Sequence, residues 1–344
     1  MILNLCGFGW SGSGAYHDLL KEYDGVCSPT NDDWEFSFIW LPDGLYDLEY
    51  KLCKKHCRIF DSELAIKRFL EISKIFGDKH NVFKYDRYLQ RPFYDQCKEY
   101  VDKLIQFKLK AYGFNQRLHP TVKDRIILLY NKVVRNILPY FLAKTVVIEN
   151  YKQLMVSYNP SNFLSITQDF VESILSQIRS NNDKILLLNQ SLPPDQPNLF
   201  DHFFKESHKT IIIRRDPRDT FITIKKLTGK PLPVPQDVND FIVFYRKTIA
   251  ETIIPDSDLI LSLNFEDIIY NYEETVAIVE NFANPGKHIS PFSFFDPKKS
   301  INNTQLKYLY PEFKTEIEAI ERELSDFLYP FEKYDFKRTS NKIF

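Results

Sequence analysis

Cysteine is scarce in this sequence. Cys6, Cys27, Cys53, Cys57 and Cys97 are five thiols in 344 residues, an odd number without regular spacing. That excludes a disulfide scaffold and points to a reducing compartment. Excess charge of either sign is missing too. Lys and Arg number 45 against 46 Asp and Glu, so the net charge is −1 and no overall basic field exists for nucleic acid. Any anion site must therefore be local. No stretch reaches the roughly 18 apolar residues of a membrane-spanning helix. The chain also enters a strand-like run at Ile2 without a basic and then apolar leader. A soluble, cytoplasmic protein with no membrane span is the expectation.

What is present is apolar mass. At 44% hydrophobic and 15% aromatic the chain can bury a large core, and residues 1–344 read as a single domain. Apolar runs at Ile2 to Cys6 and in "KILLLNQ", "KTIIIRR" and "DLILSLNFEDI" read as strands. Helical spacing occupies "PSNFLSITQDFVESILSQIRS", "DPRDTFITIKKL", "QDVNDFIVFYRKTIAETI" and "YEETVAIVENFA". Short, continuously apolar strands separated by helices predict an α/β fold of three layers, with a central, mainly parallel sheet covered on both faces. From about residue 62 to 160 the alternation is interrupted. There "ELAIKRFLEISKIF", "YDQCKEYVDKLIQFKL" and "VKDRIILLYNKVVRNILPYFL" predict a helical insertion with charged outer faces.

The stretch "CGFGWSGSGAYHDLL" contains Gly7, Gly9 and Gly12 as a G-x-G-x-x-G after a strand and before a helix. A dinucleotide fold accounts for it, with Asp32 or Asp33 at the ribose position. A triphosphate loop fits its first half, but Ser13 and Gly14 stand where Lys and the Mg²⁺-binding hydroxyl belong. A loop holding a phosphosulfate through N–H groups and the hydroxyls of Ser11 and Ser13, without a metal, is the third reading. An ordinary strand-to-helix turn is the fourth. A second stretch, "TIIIRRDPRDTFIT", brings Arg214 and Arg215 to a strand end, with Asp216 as N-cap and Pro217 at the first helical position. Arg215 and Thr223 can converge there as a guanidinium and hydroxyl clamp for phosphate. The alternative is a capping segment whose arginines pair with Asp216 and Asp219.

Together the two stretches resemble the sulfotransferases that use 3′-phosphoadenosine 5′-phosphosulfate (PAPS), most nearly the bacterial and carbohydrate-directed members. In that family a first-strand loop of the type [KR]-S-G-[ST]-[ST] holds the 5′-phosphosulfate, matched here by Trp10-Ser11-Gly12-Ser13-Gly14 and continuing to Ala15. A later R-[ND]-P-x-D-x-x-x-S holds the 3′-phosphate, matched by Arg215 to Asp219 and ending in Thr223. "FED" at Phe265 to Asp267 and the late "FDPKKSINN" also resemble family features. The latter implies that Lys298, Lys299 and Ser300 close the cofactor site. The resemblance covers roughly 1–50 and 184–330. It implies a P-loop NTPase-like sulfotransferase fold and sulfuryl transfer from PAPS, without a metal, to a hydroxyl of a carbohydrate or glycoconjugate.

Two positions depart from the family pattern. Trp10 stands where the family has a basic residue beside the leaving phosphate; Arg214, Lys298 or Lys299 could supply that charge from elsewhere. Ser191, in "LLLNQSLPP", occupies the slot of the catalytic His of cytosolic members, and neither it nor Gln190 is a useful base. Carbohydrate-type members carry a Glu some two dozen residues past the loop, which implies Glu35 as the base, its pKa raised by burial between Trp34 and Phe36. Asp32, Asp33 and His17 are alternatives. The departures leave a non-catalytic PAP- or PAPS-binding protein open, and from another class a nucleotide-dependent kinase or dehydrogenase. Cys53, His56 and Cys57 in "CKKHC" have ligand spacing without a partner cluster, so an amphipathic helix is preferred to a metal site. Aromatic side chains in 84–114 read as core, with a sugar platform as the alternative.

Overall fold

The computed structural model describes residues 1–29, 34–54, 59–180, 184–226, 234–254, 257–336 and 338–340. Strands follow in chain order as β1 (Ile2–Gly7), β2 (Val26–Cys27), β3 (Phe107–Ala111), β4 (Lys152–Val156), β5 (Ile185–Asn189), β6 (His208–Arg214) and β7 (Ile260–Asn264). β1 is central in a five-stranded sheet of order β2-β5-β1-β6-β7, and every pairing in it is parallel. The register sets Leu3 beside Leu187, Leu5 beside Ile211 and Ile213 beside Leu263. These residues share one face and pack with Tyr16, Leu19 and Leu20 of helix Ser13–Lys21 and with Val276, Val279 and Ala283 of helix Tyr272–Ala283. The alternate residues Ile2, Cys6, Leu186, Leu188 and Ile212 are equally buried. Burial on both faces explains the unbroken apolar runs, and each such side chain contributes about 1.5–3 kcal/mol. Cys6 belongs to this packing: burial pushes its thiol up to about 12, too high for a nucleophile at neutral pH.

The protein is thus an α/β chain with a parallel sheet flanked by helices. It divides into two compact units, Met1–Ile39 with Leu175–Phe344, and Trp40–Ile174. The first holds the parallel sheet. The second holds helices Ile59–Gly77, Phe93–Leu104, Val122–Ile137 and Tyr140–Val146, and an antiparallel pair in which Phe107 faces Val156 and Leu109 faces Leu154. Aromatic residues form its core: Tyr85, Phe93 and Tyr100 are buried, and Tyr100 stacks on Phe170 at 4.6 Å.

Two expectations fail in this unit. Helical spacing runs through Leu109 in the sequence, yet the helix stops at Leu104 and β3 begins at Phe107. Phe107-Lys108-Leu109-Lys110 alternates with period two, a strand signal that the preceding helix masked. The outer face of helix Val122–Ile137 is also not charged throughout: Val122, Ile126, Leu129, Val133 and Ile137 are exposed, while Asp124 and Ile127 are buried.

Candidate functional site

β1 ends at Gly7, and the chain turns through Gly9, Trp10 and Gly12, whose φ angles are 73°, 52° and 81°. Glycine is required at Gly12, and a side chain at Gly7 would displace the Ser11 hydroxyl. A Cβ on Gly7 would stand 2.0 Å from Ser11 Oγ, and one on Gly12 would stand 2.3 Å from the Phe265 ring. Left-handed residues in such a turn aim successive N–H groups into a concavity that suits an anion. Helix Ser13–Lys21 starts at once, and Gly12 offers its first turn no side-chain cap. The unpaired N–H groups and the positive end of the helix dipole therefore meet at the loop. Ser11 adds a buried hydroxyl with no hydrogen-bond partner.

This loop forms one wall of a cleft of about 540 Å³ at the carboxyl ends of the strands, the edge where open α/β sheets bind ligands. Trp10, Ser11, Gly12, Ser13, Gly14 and Ala15 line it, together with Glu35, Thr223 and Ser300. Four distant segments predicted from sequence thus meet at one site. Glu35 arrives because its segment forms a parallel bridge with Asn189 at the end of β5, where Phe36 N donates to Asn189 O at 2.9 Å. The expected burial of Glu35 does not occur. Extended backbone alternates, so Trp34 and Phe36 point into the core and the Glu35 carboxylate points out. Thr223 Oγ1 donates its one proton to Asp219 O at 2.8 Å and must turn to meet an anion.

Arg215 lies outside the lining. It is buried, donating from Nη1 to Trp10 O at 3.0 Å and from Nη2 to Asn303 O at 2.6 Å. Burial draws its pKa below the ordinary arginine value, although Asp219, Glu266 and Asp216 oppose the fall. Its visible work is to tie the left-handed Trp10 to the Asn303 segment. The capping reading of the second stretch also holds: Asp216 Oδ1 accepts from Arg218 N at 2.8 Å, and Arg218 pairs with Asp216 at 2.7 Å. Below them Glu266 is fully buried beside Asp216 and Asp219, and burial with those like charges raises its pKa well above the usual range. Asp219 accepts from Gln305 N and Leu306 N and is itself pushed up to about 6, first by burial and then by Asp216.

The proposed replacement cations are elsewhere. Arg214 lines a second cleft of about 370 Å³ with Tyr245, Asp267 and Tyr329. Lys298 and Lys299 are exposed, and Lys299 lies 3.8 Å from Asp296. Among the described residues the lining of the loop cleft carries the carboxylates Asp18 and Glu35 and no Lys or Arg. Lys21 partly offsets this, 2.6 Å from Asp18. An anion bound here would be held by N–H groups and hydroxyls. Ser191 is buried and donates to Asn4 Oδ1, while the Gln190 amide brackets Gly7 N and Gly7 O at 3.2 and 3.3 Å. Both brace β1. His17 is buried, shares a 3.1 Å hydrogen bond with Ser28, and has its pKa lowered to about 4 by burial and then Lys21. It stands outside the lining.

Asp32, Asp33, His56 and Cys57 lie outside the described residues. Sequence reasoning missed Asp18, Phe265 as a wall, Asn189 and Asn303, all of which line the cleft. Asp18 had a signal, being a polar residue one turn beyond the loop; Asn303 closes the quoted "FDPKKSINN" stretch and lies in the short 3-10 turn Ile301–Asn303.

No protein-family model and no curated protein matches the chain. Among solved structures, a sulfotransferase domain from a Synechococcus olefin synthase aligns at 12% identity and TM-score 0.26, over 64% of this chain and 68% of that one. Retinol dehydratase in complex with androsterone and the inactive cofactor PAP aligns at 14% identity and TM-score 0.27, over 99% of this chain and 73% of that one. Likeness of this degree assigns no function.

Proposed function

We propose that the protein is a PAPS-dependent sulfotransferase that modifies a hydroxyl of a carbohydrate or glycoconjugate, without a metal. The observation that supports this is the glycine-rich turn with its unpartnered Ser11 hydroxyl, opening on a cleft that Thr223, Ser300 and Glu35 also line. Bound PAPS would supply the sulfuryl group that passes to the acceptor oxygen. The N–H groups from Ser11 to Gly14 and the hydroxyls of Ser11 and Ser13 would hold the 5′ end beside Ala15, whose own N–H donates to Gly12 O. Thr223 would turn its hydroxyl from Asp219 O to donate to the 3′-phosphate, and Ser300 would border it. Glu35, exposed on the opposite wall, would take the acceptor proton on its carboxylate. Free buried thiols at Cys6 and Cys97 support a reducing, cytoplasmic setting.

A second reading, a PAP- or PAPS-binding protein without transfer, is favoured by Trp10 and by the absence of Lys and Arg among the described lining residues. One experiment separates the two. Release of PAP from PAPS is followed with and without candidate glycans, in wild type and in Glu35→Gln. Transfer by Glu35 predicts a fall of roughly 10²-fold or more in the variant with PAP affinity retained. Equal rates would remove Glu35 from the chemistry. Wild type that binds PAP but sulfates nothing would leave the binding role, and Trp10→Lys would then test whether the missing cation is the reason.

A further inference from the structure

Residues 107–152 carry nine Lys and Arg against only Asp124 and Glu149, in a chain whose overall charge is −1. Asp124 is buried, where Thr121, Gln116 and Asn150 hydrogen-bond its carboxylate. The exposed charge of the segment is therefore almost wholly positive. Within it, helix Val122–Ile137 turns Asp124 and Ile127 inward, and Val122, Ile126, Leu129, Val133 and Ile137 form a ridge on its outer side. Those five are 46% to 76% exposed, and the next helix extends the ridge with Tyr140 at 83% and Phe141 at 69%. Lys123, Arg125, Lys132, Arg135 and Lys144 are exposed on the same two helices. An apolar ridge set among cations is the composition of a helix that lies in a bilayer interface, its apolar side in the acyl boundary and its cations on anionic headgroups.

We propose that this face of the unit Trp40–Ile174 docks on an anionic phospholipid surface. A second copy is a poor occupant, because two such faces would set like charges against each other. Nucleic acid would leave the ridge facing water or phosphate. Helix Val122–Ile137 has 16 residues, too few to cross a bilayer, and among the described residues no helix is long and apolar enough to do so. The contact is one that lies on the membrane.

The test is flotation of the full chain with vesicles of phosphatidylcholine alone or with about 30% phosphatidylserine. The expected result is flotation with the anionic vesicles only, reduced by high salt. Ile126→Glu with Leu129→Glu should lower it on the order of tenfold or more while the melting temperature is kept, since both positions are exposed. Lys132→Glu with Arg135→Glu should do the same through charge alone. Equal flotation on both vesicles, or none on either, would overturn the proposal. So would a solution dimer that Leu129→Glu dissolves, which would assign the face to a second copy.

Discussion

At the scale of single residues, His17 has the most measurable consequence. Its folded pKa, about 4, lies below the ordinary value of 6.5, with burial as the first cause. The unfolded chain therefore binds this proton more tightly, and the residue withdraws stability as pH falls from 6.5 towards 4. Below that the loss is complete, at about 3 kcal/mol, taking 1.36 kcal/mol per unit. Asp219 has the opposite sign. A carboxyl raised to about 6 costs stability as pH rises from its unfolded value, so the two partly cancel in one window. Denaturant melts of wild type and His17→Gln at several pH values separate them. The difference between the two proteins should shift by about 3 kcal/mol between pH 6.5 and 4; a constant difference would mean that His17 is charged or solvated in the fold. At this scale the glycine-rich turn was the most legible, because glycines and hydroxyls at fixed offsets constrain the backbone locally. Arg215 and Ser191 were less so, since their partners Asn303 and Asn4 are distant in sequence.

Elements were readable where local pattern and tertiary setting agree. β1, β5 and β6 are apolar runs because both faces of the sheet are covered there, whereas edge strand β7 exposes Ser262; the N-cap at Asp216 follows from Asp before Pro. The two-residue β2 exists only through pairing with β5, which no local signal carries. β3 was lost because a helix ends two residues before it starts. Helix Val122–Ile137 begins with a capping box. Thr121 Oγ1 accepts from Asp124 N at 3.2 Å, and Asp124 Oδ2 accepts from Thr121 N at 2.9 Å. These bonds hold the Asp124 carboxyl well below the usual carboxylate range, so its contribution is present above pH ~4 and is lost as acid protonates it. Thr121→Ala should lower stability by about 1 kcal/mol at neutral pH, with Thr121→Ser restoring most of it. An unchanged melt in the alanine variant would show that packing alone starts the helix.

For the whole molecule, sequence order carried the sheet edge but not the electrostatics of the cleft. Strand ends at Gly7, Asn189, Arg214 and Asn264 gather because parallel connections bring all carboxyl ends to one side, which alternating apolar runs foretell. Which cations reach the cleft depends on side-chain direction, and there Arg215 turned to Trp10 O and Arg214 to a second cleft. The proposed function therefore requires N–H groups, Ser11 and Thr223 to recognise a nucleotide with two phosphate-bearing ends. Thermal shift with PAP against AMP tests that most directly, because a ligand that binds only the folded state raises the melting temperature. PAP should stabilise wild type clearly more than AMP, in the presence of EDTA, and Thr223→Val should narrow the gap. Equal shifts from the two nucleotides, or none from either, would contradict the account.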